Sequence, residues 1–416
     1  MRVRIHRGAH EIGGSCVEIE HGCRRIVLDV GRPLDSGLDA DLPLPAVPGL
    51  ASGDPALLGV VVSHAHPDHY GLVAGADPSV PIYMGEAAQR VLAEAAFFTP
   101  GGGRFDVAGF LRDRDPLELG PFRVTPYLMD HSAFDAYALL VEAGGQRLLY
   151  SGDIRAHGRK AGLFERFIAN PPEEVDTLLL EGTHVRDSTA VTTPGLSARG
   201  VEERYIEILR EAKGIVLACY SPQNIDRVVT LFRAAKRTGR TLVLDLYAAS
   251  ITRATGRLDT IPQADWEGVR VFVPVAQRVR VQREQAFKRI DWVKPHRLYP
   301  EQLAPLADKL VITFRYSMAT DLDRAGCLTD AQAVWSMWPG YLDDPSGTRL
   351  RNWLEQRGIP LVLAHSSGHA RIEDLQRFAT TVSASQVVPI HTSAPQRFPD
   401  LFANVVIRND GEWWTA

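Results

Sequence analysis

Residues 61 to 70 read VVSHAHPDHY and place His64, His66, Asp68 and His69 in one short segment. Imidazole and carboxylate at this density suit zinc or another borderline divalent cation. His64 and His66 alternate, so both can point one way from an extended backbone. Asp68 and His69 follow the turn at Pro67 and can face the same space from the other side. That geometry serves two ions better than one. Three histidines and an aspartate so close together have no packing reason to be neighbours, so a chance His-rich surface loop is the weaker reading.

Other ligand-type residues appear where strands are expected to stop. FRVTPYLMDHS delivers His131, the hairpin AYALLVEAGGQRLLYSGDI delivers Asp153, and DTLLLEGTH delivers Glu181. His369 lies in HSSGHA and His391 in VVPIHT. The candidate metal set is therefore His64, His66, Asp68, His69, His131, Asp153 and His391. This is enough for two ions, with Asp153 as the natural bridge because a carboxylate has two oxygens. Ions in such sites stand about 3.5–4 Å apart and activate water for hydrolysis. Seen alone, a strand-end histidine is more often a surface or satisfied core residue, and Asp29 or Asp153 reads as a turn carboxylate. The loop shifts that balance, because its four ligands need more from elsewhere.

The elements that must position these groups fall into two patterns. Residues 1 to 30 alternate polar and apolar around Gly-rich turns, which predicts an antiparallel meander. LLGVVVS is a buried strand feeding the ligand loop, and EAAQRVLAEAAFF predicts an amphipathic helix. From about residue 195 helices and strands alternate (VEERYIEILREAKG, GIVLACYS, NIDRVVTLFRAAKRTG, RTLVLDLYAAS), which predicts βαβ units and a parallel sheet. The boundaries are placed at 1–190, 191–360 and 361–416, the last part rejoining the first. The end, NVVIRNDGEWWTA, predicts a hairpin turning at Asp410-Gly411.

Composition excludes several classes. No apolar run is long enough to span a membrane, and the start, MRVRIHRGAHEIGG, has no apolar secretory core. The four cysteines form no CxxC pair and read as reduced thiols, which points to the cytoplasm. The net charge of −4 argues against a chain that is basic all over.

The order HxHxDH, then His131, then Asp153, resembles the metallo-β-lactamase superfamily. The resemblance implies an α/β fold: an αββα sandwich with the metals at one edge. Asp29 in IVLDVG matches the family's first motif, a carboxylate that supports the ligand loop. Glu181 in LLLEGTH, His369 in HSSGH and His391 in VVPIHT resemble the three later motifs of the β-CASP nucleases, with the ribonuclease J-like pattern intact at His365, Ser367, Gly368 and His369. The stretch between Glu181 and His369 is where an inserted parallel-sheet β-CASP domain belongs. The match departs from the family after the acid of EGTHVRD, and by stopping soon after His391, so it resembles a compact member lacking the C-terminal domain.

That resemblance implies a two-metal phosphodiester hydrolase, an endo- or 5′-exoribonuclease, acting on single-stranded nucleic acid, RNA in preference to DNA. It implies two divalent ions, Zn2+ or Mn2+, no membrane partner, and allows a homodimer. His64, His66 and His131 would hold one ion, Asp68, His69 and His391 the other. Asp68, His369 and Glu181 would carry the catalysis, and His365, Ser366, Ser367 and Gly368 would cradle a phosphate. A substrate channel is expected between the domains, supported by the stretch from Val269 to Arg297, where basic residues interleave with Phe272, Phe287 and Trp292. A solvated amphipathic helix explains that stretch equally well. The alternative function is a small-molecule metallohydrolase, a lactonase or thioesterase, with the insertion as a lid.

Overall fold

The computed structural model describes the chain apart from residues 38, 39, 101 and 187–194. It divides into two compact units, Met1–Pro194 with Gly368–Ala416, and Gly195–Ser367. The boundary expected at 190 lies outside the described residues.

The first unit contains two sheets. In spatial order one runs Trp413–Thr415, Arg2–Arg7, Cys16–His21, Arg24–Leu28, Leu57–Val61, Ile82–Gly85, Gly109–Leu111. Its first four strands pair antiparallel and the rest pair parallel. The other runs Gln386–Ile390, Thr177–Glu181, Gln146–Tyr150, Ala136–Ala143, Phe122–Met129, Leu117–Leu119. Alternating side chains of both sheets meet in one core, with Val3, Ile5, Val17 and Ile26 against Phe122, Leu139, Leu148 and Val388. The opposite faces are covered by helices. Helix Glu86–Ala95 turns Ala88 and Leu92 onto Val60 and Ile82. Helices Ala161–Ala169 and Ile372–Val382 turn Phe164, Phe167, Leu375 and Phe378 onto Leu140, Leu149 and Leu178. Each such buried Leu or Phe side chain contributes about 1.5–3 kcal/mol relative to exposure. The layers are therefore helix, sheet, sheet, helix, as the resemblance implies.

The second unit is one all-parallel sheet in the order Arg297–Leu298, Val269–Phe272, Thr241–Asp245, Leu310–Thr313, Val216–Cys219, Gln332–Trp335, Leu361–Leu363. Helix Ile225–Arg237 begins directly after Asn224, as read, whereas Ala198–Glu211 begins ahead of the VEERYIEILREAKG stretch. Ser197 and Asn224 accept the backbone N–H groups of Gly200 and Arg227. Among the described residues no helix is long and apolar enough to cross a membrane.

Two expectations are corrected. The C-terminal segment does not fold back on itself. Trp413–Thr415 pairs with Arg2–Arg7, while Val405 bridges Val387 in a parallel sense. Pairing at a distance wins because it buries Trp414 in the core between the sheets, which a free hairpin would leave in water. The other concerns the alternative reading of the basic stretch: residues 277–290, QRVRVQREQAFKRI, do not form one solvated amphipathic helix. The stretch breaks at Gln285, which has φ +52°, into helices Val275–Arg283 and Lys288–Asp291, and Val281 is their sole buried residue.

Candidate metal centre

The strands of the first unit deliver their polar residues where they stop. Asp29 follows Arg24–Leu28, His64 follows Leu57–Val61, His131 follows Phe122–Met129, Asp153 follows Gln146–Tyr150, and His391 follows Gln386–Ile390. Glu181 is the last residue of its own strand.

The ligand loop turns at Pro67, the first residue of the short helix Pro67–Tyr70, which carries Asp68 and His69. Its carbonyls are tied down from outside. Asp68 O accepts from Ser15 N at 3.1 Å, His69 O from Val30 N at 2.8 Å, and Pro67 O from Arg32 N at 2.9 Å. Gly31 is required by this close approach: a β-carbon there would lie 1.8 Å from Asp68 O. Asp29, fully buried, accepts from Ser63 N (2.7 Å), Ser63 Oγ (2.7 Å) and Tyr150 OH (2.8 Å), and faces His69 Nδ1 at 2.7 Å. It therefore fixes which nitrogen His69 turns toward the centre. Asp29 and His391 both hold left-handed backbone, φ +59° and +53°. His391 is anchored by its N–H to Gly8 O, and its Nδ1 meets Gly13 N and Ser15 Oγ. Strain of this kind persists where surrounding bonds over-determine it.

The side chains converge into groups with ligand atoms within 4.8 Å of one another: His64, His66, His131 and Asp153; Asp68, His69, Asp153 and His391; and Asp153, Glu181 and His369. Asp153 belongs to all three. Its Oδ2 lies 3.5 Å from His64 Nε2, 3.9 Å from His131 Nε2 and 3.2 Å from His69 Nε2, and its Oδ1 lies 3.8 Å from His391 Nε2. Asp68 Oδ2 is 3.9 Å from His69 Nε2 and 3.7 Å from His391 Nε2. His66 Nδ1 and His131 Nε2 stand 3.0 Å apart. Ligands about 2.0–2.2 Å from a tetrahedral zinc are about 3.3–3.6 Å apart, and these spacings of 3.0 to 3.9 Å scatter on both sides of that edge length.

A stricter test is satisfaction. His64 Nε2, His69 Nε2, His391 Nε2 and both oxygens of Asp153 are buried with no hydrogen-bond partner among the described residues. Orphaned polar atoms cost about 1–3 kcal/mol each, more for charged groups. Five aimed at one space fit a divalent cation.

The electrostatics divide the histidines. Burial holds His64 and His131 well below the usual imidazole range and His66 at about 4, so these rings are neutral and able to ligate. Burial also lowers His391. Burial opposes charge on His69, but Asp153, Asp29 and Asp68 outweigh it and raise its pKa well above the usual range. Burial works against the Asp153 carboxylate too, yet His391, His69 and His369 hold its pKa well below normal. At His369, burial is outweighed by Glu181 and Asp153, which push its pKa up to about 9.

His369 Nδ1 lies 3.2 Å from Glu181 Oε2 and 3.1 Å from Thr183 Oγ1. The other oxygen of Glu181 accepts from Ile154 N at 3.0 Å, so this carboxylate is wedged between the Asp153 turn and His369. Gly368 packs close: a β-carbon there would sit 2.6 Å from Ser132 Oγ. His365, Ser366 and Ser367 belong to the second unit, where Ser366 Oγ accepts from Arg227 Nη2 at 3.3 Å.

Residues that sequence reasoning passed over hold this set in place. Buried Arg155 reaches Asp130 Oδ1 and His131 O, both at 3.2 Å, and Asp130 Oδ2 accepts from Gly158 N. Ser63, Tyr150 and Ser15 serve Asp29 and His391 as described. Thr183 and His184 flank His369, with the two rings 6.3 Å apart. Most of these are neighbours of a motif residue, and that adjacency was the available signal.

Residues 24–215 match the model described as the beta-lactamase superfamily domain. With the layered fold and the His/Asp groups, the chain carries a metallo-β-lactamase-fold domain whose polar edge is built to bind divalent metal. Its curated relatives include ribonucleases J at low identity. That of Sinorhizobium meliloti is 23% identical over 371 residues, covering 85% of this chain and 61% of the relative. That of Mycobacterium tuberculosis is 28% identical over 257 residues, covering 58% and 43%. The chain thus spans about three fifths or less of the length of these relatives. A crystal structure of a protein of unknown function from Enterococcus faecalis V583 shares the fold, with TM-score 0.78 across 99% of both chains at 20% identity.

Proposed function

We propose that the chain is a metal-dependent phosphodiesterase, a ribonuclease acting on single-stranded RNA. The observation that carries this reading is Asp153, whose buried, unsatisfied carboxylate lies among both histidine-rich groups, with Oδ2 nearest His64, His131 and His69 and Oδ1 nearest His391. A carboxylate so placed suits a two-ion centre. His64, His66 and His131 would hold one ion, and Asp68, His69 and His391 the other, with Asp153 shared. Zinc suits this donor set, and manganese is the alternative. Bound ions would supply Lewis acidity, lowering the pKa of water and neutralising charge on a phosphate. The ribonuclease J names of the relatives favour RNA over a lactone or thioester.

The chain's own groups do the rest. Attack of water on a phosphodiester phosphorus expels an oxygen that needs a proton. His369 would deliver it, held protonated and oriented by Glu181, with Thr183 fixing the same nitrogen. Asp29 holds His69 to one orientation. Gly368 would contribute its backbone N–H to a phosphate. The reading assigns the protein to the cytoplasm, and its four free cysteines are consistent with that.

The test is incubation of purified protein with end-labelled single-stranded RNA, single-stranded DNA and a chromogenic lactone, each with and without chelator. Chelator-sensitive shortening of RNA is expected, and the label position separates endo- from 5′-exonuclease cleavage. Lactone turnover without any cleavage of RNA or DNA would overturn the reading.

A further inference from the structure

The segment from Val275 to Lys294 is ordered at little gain in burial. From Val275 to Trp292 only Val281 is buried, and helix Lys288–Asp291 buries nothing. Ordering backbone costs conformational entropy, so a stretch packed this thinly sits at the low-stability end of its unit. It also leaves apolar surface in water, with Val279 56% and Phe287 49% exposed. In a chain of net charge −4 it collects Arg278, Arg280, Arg283, Lys288, Arg289 and Lys294 against Glu284 and Asp291. Those two acids are engaged locally, Glu284 by Arg283 at 2.9 Å and Asp291 by Lys294 at 2.6 Å. Arg278 and Lys288 are exposed and have no ion-pair partner among the described residues. The three aromatics of the region have separate fates. Phe272 is in the core, and Trp292 lies beneath Arg253 at 4.7 Å, so Phe287 is the ring that faces solvent.

We propose that this segment is a docking surface for single-stranded RNA, its cations engaging phosphates and Phe287 stacking a base. The surface complements a polyanion that also offers exposed aromatic faces. A single strand has both, whereas a duplex hides its bases. The inference rests on the ribonuclease reading for its choice of partner, and it concerns residues of the second unit, none of which is a proposed metal ligand.

The test is fluorescence anisotropy of labelled oligouridine with chelator present, so that no turnover enters the measurement. Replacing both Arg278→Gln and Lys288→Gln weakens binding about tenfold at low salt. It also flattens the slope of log affinity against log salt by about 1.4, or about 0.7 for each phosphate no longer neutralised. The swap Arg278→Lys with Lys288→Arg keeps the slope. Phe287→Ala weakens binding about fivefold or more without changing the slope. Melting curves confirm that these exposed substitutions leave the fold intact. Wild-type affinity and slope in both the charge and Phe287 variants overturn the proposal, as does a change in sedimentation mass without a change in RNA affinity, which makes the face an interface between copies of the chain. RNA cleavage by wild type together with unchanged binding by the variants removes this surface and leaves the metal centre standing. Binding through the segment without any cleavage keeps the surface and removes the ribonuclease reading.

Discussion

Two carboxylates of the first unit, Glu18 and Asp153, are equally buried and oppositely treated. Both side chains are almost fully excluded from solvent, at 0% and 1% exposure. Glu18 sits in strand Cys16–His21 and is saturated. Arg4 Nη2 and Nε donate to it at 2.7 and 3.2 Å, Arg25 Nη1 at 3.2 Å, and His6 Nε2 lies at 2.7 Å. Asp153 is ringed by imidazoles, yet neither oxygen has a hydrogen-bond partner among the described residues. Folding alone accounts for the first arrangement, because a buried charge must be paired and hydrogen-bonded. The second is expensive unless something else enters. Burial therefore does not mark the functional carboxylate; incomplete satisfaction does.

Replacing Asp153 breaks this comparison most sharply. Asp153→Asn keeps the shape and removes the shared ligand charge. We expect phosphodiester hydrolysis to fall on the order of 10³-fold or more, about 4 kcal/mol of barrier. Added zinc is expected to raise the melting temperature of the wild type and not that of the variant. A variant that keeps both turnover and metal-induced stabilisation would show that the orphaned oxygens have no metal to serve.

His369 tests the carboxylate at the edge of the same group. Glu181 has one oxygen on Ile154 N and the other on His369 Nδ1, so it is satisfied like Glu18 yet contacts the centre like Asp153. His369→Ala is expected to lower kcat about 10²- to 10³-fold while zinc binding, followed by calorimetry, is retained. Loss of zinc binding with the activity would make His369 a ligand instead of a proton donor.

Glu18 supplies the opposite control. Burial alone would raise its pKa, but His6, Arg4 and Arg25 outweigh burial and hold it at about 2, against 4.5 for an ordinary Glu. The folded value is the lower one, so the stabilisation is complete above the ordinary value and fades as pH falls from about 4.5 toward 2. Its full size is about 3 kcal/mol. Urea melts across that range should show the wild type losing stability as acid is added. Glu18→Gln should be less stable at neutral pH and flatter with pH, with zinc affinity unchanged. Parallel pH curves for the two proteins would mean that the Arg4, His6 and Arg25 contacts contribute little.

The same contrast explains what was legible in the sequence. His64, His66, Asp68 and His69 stood out because their spacing has no packing purpose, and the strand ends that bring His131, Asp153 and His391 to them followed from alternation and turns. Glu18 was invisible as a site, since an acid on an alternating strand reads as solvent-facing; only the fold shows that Arg25 comes from the next strand to meet it. Arg155 was hidden for the same reason. A buried arginine is recognised by its partners, Asp130 and the His131 carbonyl, and those meet it only in three dimensions. The C-terminal strand was misread because local turn chemistry at Asp410-Gly411 could not reveal that Arg2–Arg7 offers a better partner. The basic segment was legible in charge but not in packing: three aromatics looked interleaved, and the fold sends Phe272 inward and places Arg253 over Trp292.

Asp29 stands between the two cases and gives the finest test of the distinction. Like Glu18 it is saturated, by Ser63 twice, Tyr150 and His69. Like Asp153 it acts on the centre, because His69 presents one nitrogen to Asp29 and the other to the metal-facing space. Asp29→Asn keeps the side-chain volume but removes the charge and brings an N–H2 group against donors on Ser63 and Tyr150. Loss of an orienting partner of this kind costs about 10- to 100-fold in metal affinity. Competition with a chromophoric chelator measures that loss directly. If Asp29 acts through His69, Asp29→Asn combined with His69→Ala should bind zinc no more weakly than His69→Ala alone, since the orientation then has nothing left to orient. Additive losses would mean that Asp29 supports the whole ligand loop through Ser63, and its kinship would lie with Glu18.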